Sequence, residues 1–401
     1  MTSVATPVNT KGSDWRKALI AISVSAFAVG LAVGAVMPLI AMSMELRGES
    51  ADSIGYVVAA APLALVLTGP FINPMVRVFG LLGSMVLGTL VVVATMIAMP
   101  FWYGVEEWVA LRFIAGVGIA SLWILSETWV NALATTENRG RIIAGFMFVM
   151  TLGFGLGPLL VSAIGPAEFM TFFVAAAVIA VSIIPLVLAR NVAPDLGVPQ
   201  KWSFIRAFRV APLVMATAVL AGVTDSAQIS FIPVYGVRMG YDADMALYML
   251  VAIIGGTVIS QLPIGLYSHR IDRNKLLVVC LVACFVLGGV VPFVLDDPIL
   301  IWPVLVLWGG TAFALYSIAI ILLGDRFPPA ELAGANAAFV CVFEMGSIAG
   351  PIAVGHAMEL MGPNGMPMVL VVSCVPLLAL AMWRRVLRPR FLRAIETNEN
   401  P

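Results

Sequence analysis

Twelve apolar runs of about twenty residues, each bounded by charge, proline or glycine, decide most of what this chain can become. They fall at 17–41, 55–76, 79–100, 106–127, 140–163, 168–190, 208–233, 245–268, 274–295, 300–323, 332–357 and 367–386. Runs of this length are too long for barrel strands, and a water-soluble fold has no core large enough for twelve buried helices. Composition agrees: 61% of the 401 residues are hydrophobic and 11% charged, against roughly half and a quarter in a soluble domain. The expected class is an all-α polytopic membrane protein with twelve transmembrane helices. The first sixteen residues are polar and carry no short apolar segment ending in a cleavage site, so the first span is expected to serve as its own targeting signal.

Charge placement tests the count independently. With the N-terminus in the cytoplasm, nineteen of the 22 Lys and Arg residues fall inside, Arg47 and Arg238 alone fall outside, and Arg112 alone lies within a span. A miscounted helix would scramble that ratio, so both termini are expected to be cytoplasmic. Acids and bases balance to a net charge of zero, which gives no support to nucleic-acid binding. Cys280, Cys284, Cys341 and Cys374 sit inside apolar runs without metal-cluster or disulfide-framework spacing and read as small buried side chains. No cofactor or metal is implied.

The chain repeats itself. RFIAGVGIASLW aligns with LWGGTAFALYSI at an offset of 193, pairing Gly116 with Gly309, and the same offset pairs GFGLGP, Gly153 to Pro158, with GSIAGP, Gly346 to Pro351. Two pseudo-symmetric halves of six helices follow: 17–190 and 208–386, joined by a polar cytoplasmic linker at 191–207 and flanked by cytoplasmic tails at 1–16 and 387–401. Duplicated halves about an axis normal to the membrane suit alternating access around a midplane site.

Arg112, Gly116 and Gly118 in the fourth span form an Arg-x-x-x-Gly-x-Gly pattern, and GLYSHRIDRNK follows the eighth span. On these features and the duplication, the chain resembles the major facilitator superfamily over essentially its whole length, and within it the bacterial YcaD-like group of transporters. The resemblance implies a conformational loop of the form Gly-x-x-x-Asp-Arg-x-Gly-Arg-Arg after spans 2 and 8. In the second copy Gly265, Arg270 and Arg273 match, whereas His269, Asp272 and Asn274 replace Asp, Gly and Arg. In the first copy, GPFINPMVRVFG, Gly69 is kept and Asn73 and Pro74 stand at the Asp-Arg positions. The fifth-span stretch of Gly153, Gly157 and Pro158 is similar to a pattern associated in the family with exporters, although Val161 and Ser162 replace its last two glycines; close helix packing explains those glycines equally.

Charges within spans point to mechanism because each is costly at the midplane and must face a cavity or a partner. Arg112, Glu127, Asp225 and Glu344 are the candidates for proton coupling, with Asp225 or Glu344 as the carrier and Glu127 pairing with Arg139 or Arg141. For Arg112, snorkelling to the headgroups competes with a cavity-facing role. Trp123, Asn131, Gln228, Gln261, Tyr316 and Asn336 are the candidates for lining a substrate cavity. Asp225 and Gln228 are three apart and share a helix face, and Tyr316 is the repeat partner of Trp123. Trp102 and Trp108, at a span boundary, read as interfacial belt residues.

The expected function is a secondary active transporter of a small organic solute, proton-coupled, with an efflux antiporter as one form, acting as a monomer in the bacterial inner membrane. Its partners are the solute, protons and the lipid bilayer. A transporter-like sensor or scaffold is the alternative, on the strength of the altered loop after span 2. An enzyme has no nucleophile elbow or phosphate loop to support it, since GVGIAS lies within an apolar span. A passive channel lacks a repeating polar stripe. Cation, sugar, amphipathic drug and anion all stay open as solutes.

Overall fold

In this computed structural model the described residues are 14–133, 139–166, 169–190, 204–267, 271–327 and 329–383. The chain folds as α1 (Asp14–Leu46), α2 (Ala51–Ala98), a short 3-10 turn (Met99–Phe101), α3 (Val105–Leu133), α4 (Arg139–Ile164), α5 (Phe169–Val181) and α6 (Ile183–Leu188). It continues as α7 (Phe204–Val210), α8 (Pro212–Arg238), α9 (Ala243–Tyr267), α10 (Arg273–Val294), α11 (Ile301–Arg326), α12 (Pro329–Met361) and α13 (Gly365–Met382). Among the described residues there is no strand, and twelve stretches, from Leu19–Leu46 to Gly365–Met382, are long and apolar enough to cross a membrane. Each overlaps one of the twelve runs read from the sequence.

Boundaries differ from the sequence reading where proline and glycine act. Spans 2 and 3 were expected as separate helices, and they form two spans, Ala51–Gly69 and Pro74–Phe101: the helical run Ala51–Ala98 is two helices meeting across a kink at Gly80, whose φ of 73° and ψ of 170° only glycine adopts readily. Span 7 begins at Pro212, four residues later than expected, because proline suits the first helical position and the preceding residues form the separate helix α7. Span 6 is broken between α5 and α6: Pro185 cannot donate to Val181, the residue on which α5 ends. Replacing Gly80 by alanine forces a Cβ into a region costing about 1–3 kcal/mol, so the melting midpoint of Gly80→Ala should fall by several degrees in a fluorescence-monitored thermal scan.

Glycine contacts show the duplication in three dimensions. A Cβ on Gly30 of α1 would strike the backbone of Met150 and Phe154 in α4, and one on Gly222 of α8 would strike Phe343 and Ser347 in α12. Likewise Gly116 of α3 abuts Ala61 of α2, and Gly309 of α11 abuts Ile253 of α9. Such approaches are available only where the side chain is a hydrogen. The helices α3 and α4 repeat in α11 and α12 at the offset of 193, whereas α1 and α2 repeat in α8 and α9 at 192: Gly48 and Gly240, both with positive φ, close the first and seventh spans, and Ala51 and Ala243 open the next. Gly30→Ala and Gly222→Ala should therefore destabilise by similar amounts, about 1–3 kcal/mol each from overpacking, with both shifts read in the same thermal assay.

Compact packing groups residues 1–200 with 229–251 as one unit, and 201–228 with 252–401 as a second. In the first, Arg238 Nε donates to Glu45 Oε1 at 2.8 Å, tying the end of α8 to the end of α1. Ser162 Oγ donates to Asp244 Oδ1 at 2.7 Å, and Ser43 Oγ to the carbonyl of Pro166 at 2.6 Å. Trp108 corrects the belt expectation. Its ring is 1% exposed, stacks edge-on against Phe172, lies under the Arg47 guanidinium, and donates Nε1–H to the Trp102 carbonyl at 2.8 Å. An indole that finds its acceptor and a cation inside the protein has no need of the headgroups. Trp102 itself is exposed, as an interfacial residue is.

In the second unit, Arg206 of α7 donates to Glu331 of α12 at 2.9 Å. Cys284 and Cys374 are buried beside Trp308 in a packed seam of α10, α11 and α13.

Candidate functional site

The first unit carries a narrow gap between α1, α3 and α4 with a volume of about 10 Å³, room for about one water. Ala26 and Val29 come from α1, Leu122, Trp123, Ser126 and Glu127 from α3, and Phe146 and Met150 from α4. Close approach of α1 and α4 through Gly30 and Gly153 brings their walls together. Residues 123 and 127 stand one turn apart on α3, so the Trp123 indole N–H donates to the Glu127 carboxylate. The result is a small apolar chamber with one acid at its wall and one aromatic beside it.

Arg112 occupies the same helix but not the same place. Fifteen residues from Glu127, it sits roughly 22 Å away along the axis. It is 2% exposed, and its Nε has no hydrogen-bond partner. A buried guanidinium of this kind is inconsistent with snorkelling to the headgroups.

In the second unit, Asp225 of α8 and Glu344 of α12 come together. Gly222 seats α8 on the backbone of Phe343, and one turn later Asp225 lies close enough to Glu344 for their charges to interact. Both residues are half-buried. Gln228, on the same side of α8 as Asp225, is 3% exposed with Nε2 unpartnered. Tyr316 of α11 packs on Phe343 and Phe339 of α12, with ring centroids 5.1 and 5.4 Å away. Gln261 on α9 and Asn336 on α12 are half-buried.

The loop candidates divide. Asp272 is the N-cap of α10, accepting from the amides of Asn274 at 2.9 Å and Lys275 at 3.3 Å. Those bonds, from Lys275 first, hold its carboxyl below the ordinary aspartate value. The cap is therefore intact above that ordinary value and is lost as pH falls through the lowered one. Arg273 pairs with Asp325 at the end of α11, so this loop is tied to a carboxylate of its own unit. His269 and Arg270 lie outside the described residues, as do the side chains of Asn131, Arg139 and Arg141 and the surroundings of Gly265.

Ser226 and Ser230, whose buried hydroxyls on α8 have no partner, were not among the candidates read from the sequence. The signal was present: TDSAQIS packs five polar residues into two turns, and this span is the least hydropathic of the twelve and the most buried, at 78%. Glu45 and Arg238 were likewise missed, because each reads from the sequence only as a loop charge.

A twelve-span helical bundle whose halves repeat, with isolated acids inside its spans, defines a membrane transporter. The family profile of the Major Facilitator Superfamily matches residues 22–351 and again 256–400, and the chain belongs to that family of secondary transporters rather than to an enzyme class. It is similar to the uncharacterized MFS-type transporter YfkF of Bacillus subtilis, 27% identical over 351 residues covering 85% of this chain and 88% of the relative. It is similar also to the uncharacterized MFS-type transporter YcaD of Salmonella arizonae, 26% identical over 320 residues, 79% and 81% of the two chains. Among solved structures, the nucleoside transporter NupG superposes with a TM-score of 0.74 at 16% identity over 91% of this chain and 97% of that one. A D-xylose-proton symporter gives 0.69 at 16% identity, over 92% and 97%. These structures share the fold.

Proposed function

We propose that this protein is a proton-coupled secondary active transporter of a small organic solute, working by alternating access in the bacterial inner membrane. Both termini face the cytoplasm, and the halves 17–190 and 208–386 rock about the solute as one monomer. The observation that carries the coupling is the Asp225 and Glu344 pair, two acids on neighbouring helices whose charges interact inside membrane spans. A carboxylate in that position costs about 3 kcal/mol or more unless it holds a proton or a cation, so exchange of one for the other is a natural step of a transport cycle. The D-xylose-proton symporter, alike in fold, supports coupling to protons. The exporter-like glycines of α4, Gly153 and Gly157, which seat on α1, support antiport.

The test is proton release from detergent-purified protein on addition of a solute panel, followed by uptake in proteoliposomes under an imposed pH gradient. A solute that releases protons and is accumulated by the gradient establishes the reading. Solute uptake unaffected by the gradient would leave a transporter without proton coupling.

A further inference from the structure

We propose that Cys284 of α10 and Cys374 of α13 are a redox-active pair, which a hydroperoxide closes to a disulfide that fastens the two helices together. The two thiols already lie within hydrogen-bonding reach of each other. Helix packing explains why. A Cβ on Gly288 would come within 3.1 Å of Val371 Cγ2 and 3.2 Å of the Trp308 indole, so α10 and α13 touch at that level. With α11 and α12 crossing between them in the chain, α10 and α13 run antiparallel. One turn back from Gly288 on α10 and one turn on from Val371 on α13 therefore reach a common depth, and the residues there are Cys284 and Cys374. All four cysteines are free thiols, and the other two are placed differently. Cys280 stands one turn from Cys284 on the same helix, where Cβ atoms about 5–6 Å apart are too distant for a bridge that needs about 3.5–4.5 Å. Cys341 lies on α12, on the face that carries Glu344.

The surroundings favour a disulfide over the other oxidation products of a thiol. Cys284 is 2% exposed and Cys374 0%, Cys374 Sγ donates to the Leu370 carbonyl at 3.3 Å, and the buried Trp308 ring closes the seam. A disulfide is uncharged and more compact than the two thiols it replaces, so it needs neither a cavity nor a counter-charge there. A sulfinic or sulfonic acid would bury an unpaired anion. Access comes from the outer faces of the same helices, where Val279, Val286 and Val372 are exposed, so the pair lies one layer of side chains beneath the surface. A small uncharged hydroperoxide crosses that layer when the side chains move. The sulfur of one cysteine attacks the terminal peroxide oxygen; the O–O bond breaks, the thiol proton leaves with the alkoxide as an alcohol, and a sulfenic acid remains. The sulfur of the other then attacks the sulfenic sulfur; the S–S bond forms, the S–O bond breaks, and hydroxide takes the second thiol proton to leave as water. Two thiols have lost two electrons and two protons, and the hydroperoxide has been reduced to an alcohol and water.

The full chain, purified in detergent under reduction, is exposed to hydrogen peroxide and then unfolded, and its remaining thiols are blocked with N-ethylmaleimide before peptide mapping. The reduced chain takes four maleimides, one on each cysteine. The oxidised chain should take two, on Cys280 and Cys341, and yield a dithiothreitol-sensitive peptide pair joining Cys284 to Cys374. A bridge between residues about 90 apart in the chain restrains the unfolded state, so the oxidised protein should melt several degrees higher. Dithiothreitol should return the midpoint to its starting value, which separates the bridge from methionine oxidation, because sulfoxides resist that reagent. Cys280→Ala combined with Cys341→Ala should keep both the bridge and the shift, and Cys374→Ala should lose both. Four blocked thiols after peroxide, a bridge between any other two cysteines, or sulfinic acid at Cys284 or Cys374 without a cross-link overturns the assignment. A bridged protein that melts no higher than the reduced one equally overturns it, since the bond would then not fasten α10 to α13.

Discussion

Asp225→Asn and Glu344→Gln are each expected to reduce solute-dependent proton movement to the background of protein-free vesicles. The amides keep shape and hydrogen-bonding capacity but cannot exchange a proton. In wild type, two carboxylates whose charges interact repel each other when both are ionised, and a proton on either removes that repulsion. Fixing one member as a neutral amide freezes the pair in its proton-loaded form. Solute exchange without net proton flux should therefore survive in at least one variant, because counterflow requires the loaded carrier to reorient but not to discharge. Loss of proton movement together with retained counterflow is the signature of a coupling residue; loss of both, with an unchanged melting midpoint, would place the acid in solute binding instead.

The second large effect concerns the tie between α1 and α8. Arg238→Ala leaves Glu45 with 11% exposure, one oxygen already unpartnered and no guanidinium on the other. Stranding a charge in such a place costs about 3 kcal/mol, which should lower the melting midpoint by several degrees. Glu45→Ala should cost less, since Arg238 is more exposed and can turn its longer side chain to water. The double variant should be more stable than Arg238→Ala alone, giving a coupling energy of about 2 kcal/mol in the four-protein cycle. A cycle with no coupling energy would reduce the pair to an incidental surface contact.

The twelve spans were legible because each needs about twenty apolar residues whatever it packs against, and that requirement is written into contiguous sequence. The duplication was legible where glycines must repeat for backbones to touch, as at Gly116 and Gly309. Span edges were less so, since Gly80 breaks a helix only through a backbone angle and Pro212 starts one only because α7 is already complete. Arg112 and Trp108 were ambiguous for a related reason. A long cationic or aromatic side chain near a span end satisfies either lipid headgroups or protein partners, and periodicity does not say which. The acids were found by their cost alone, but the meeting of Asp225 with Glu344, and of Glu45 with Arg238, depends on contacts between segments more than a hundred residues apart in the chain.

The change of offset from 192 to 193 places one extra residue in the second copy between its second and fourth spans. At the matching junction the first copy breaks its helix at Gly80, in a backbone conformation that only glycine adopts readily, whereas in the second copy α10 opens at Arg273 under an Asp272 cap. The two halves thus meet one junction with different chemistry, a backbone angle in the first and a side-chain cap in the second, so a substitution that disturbs either has no counterpart in the other.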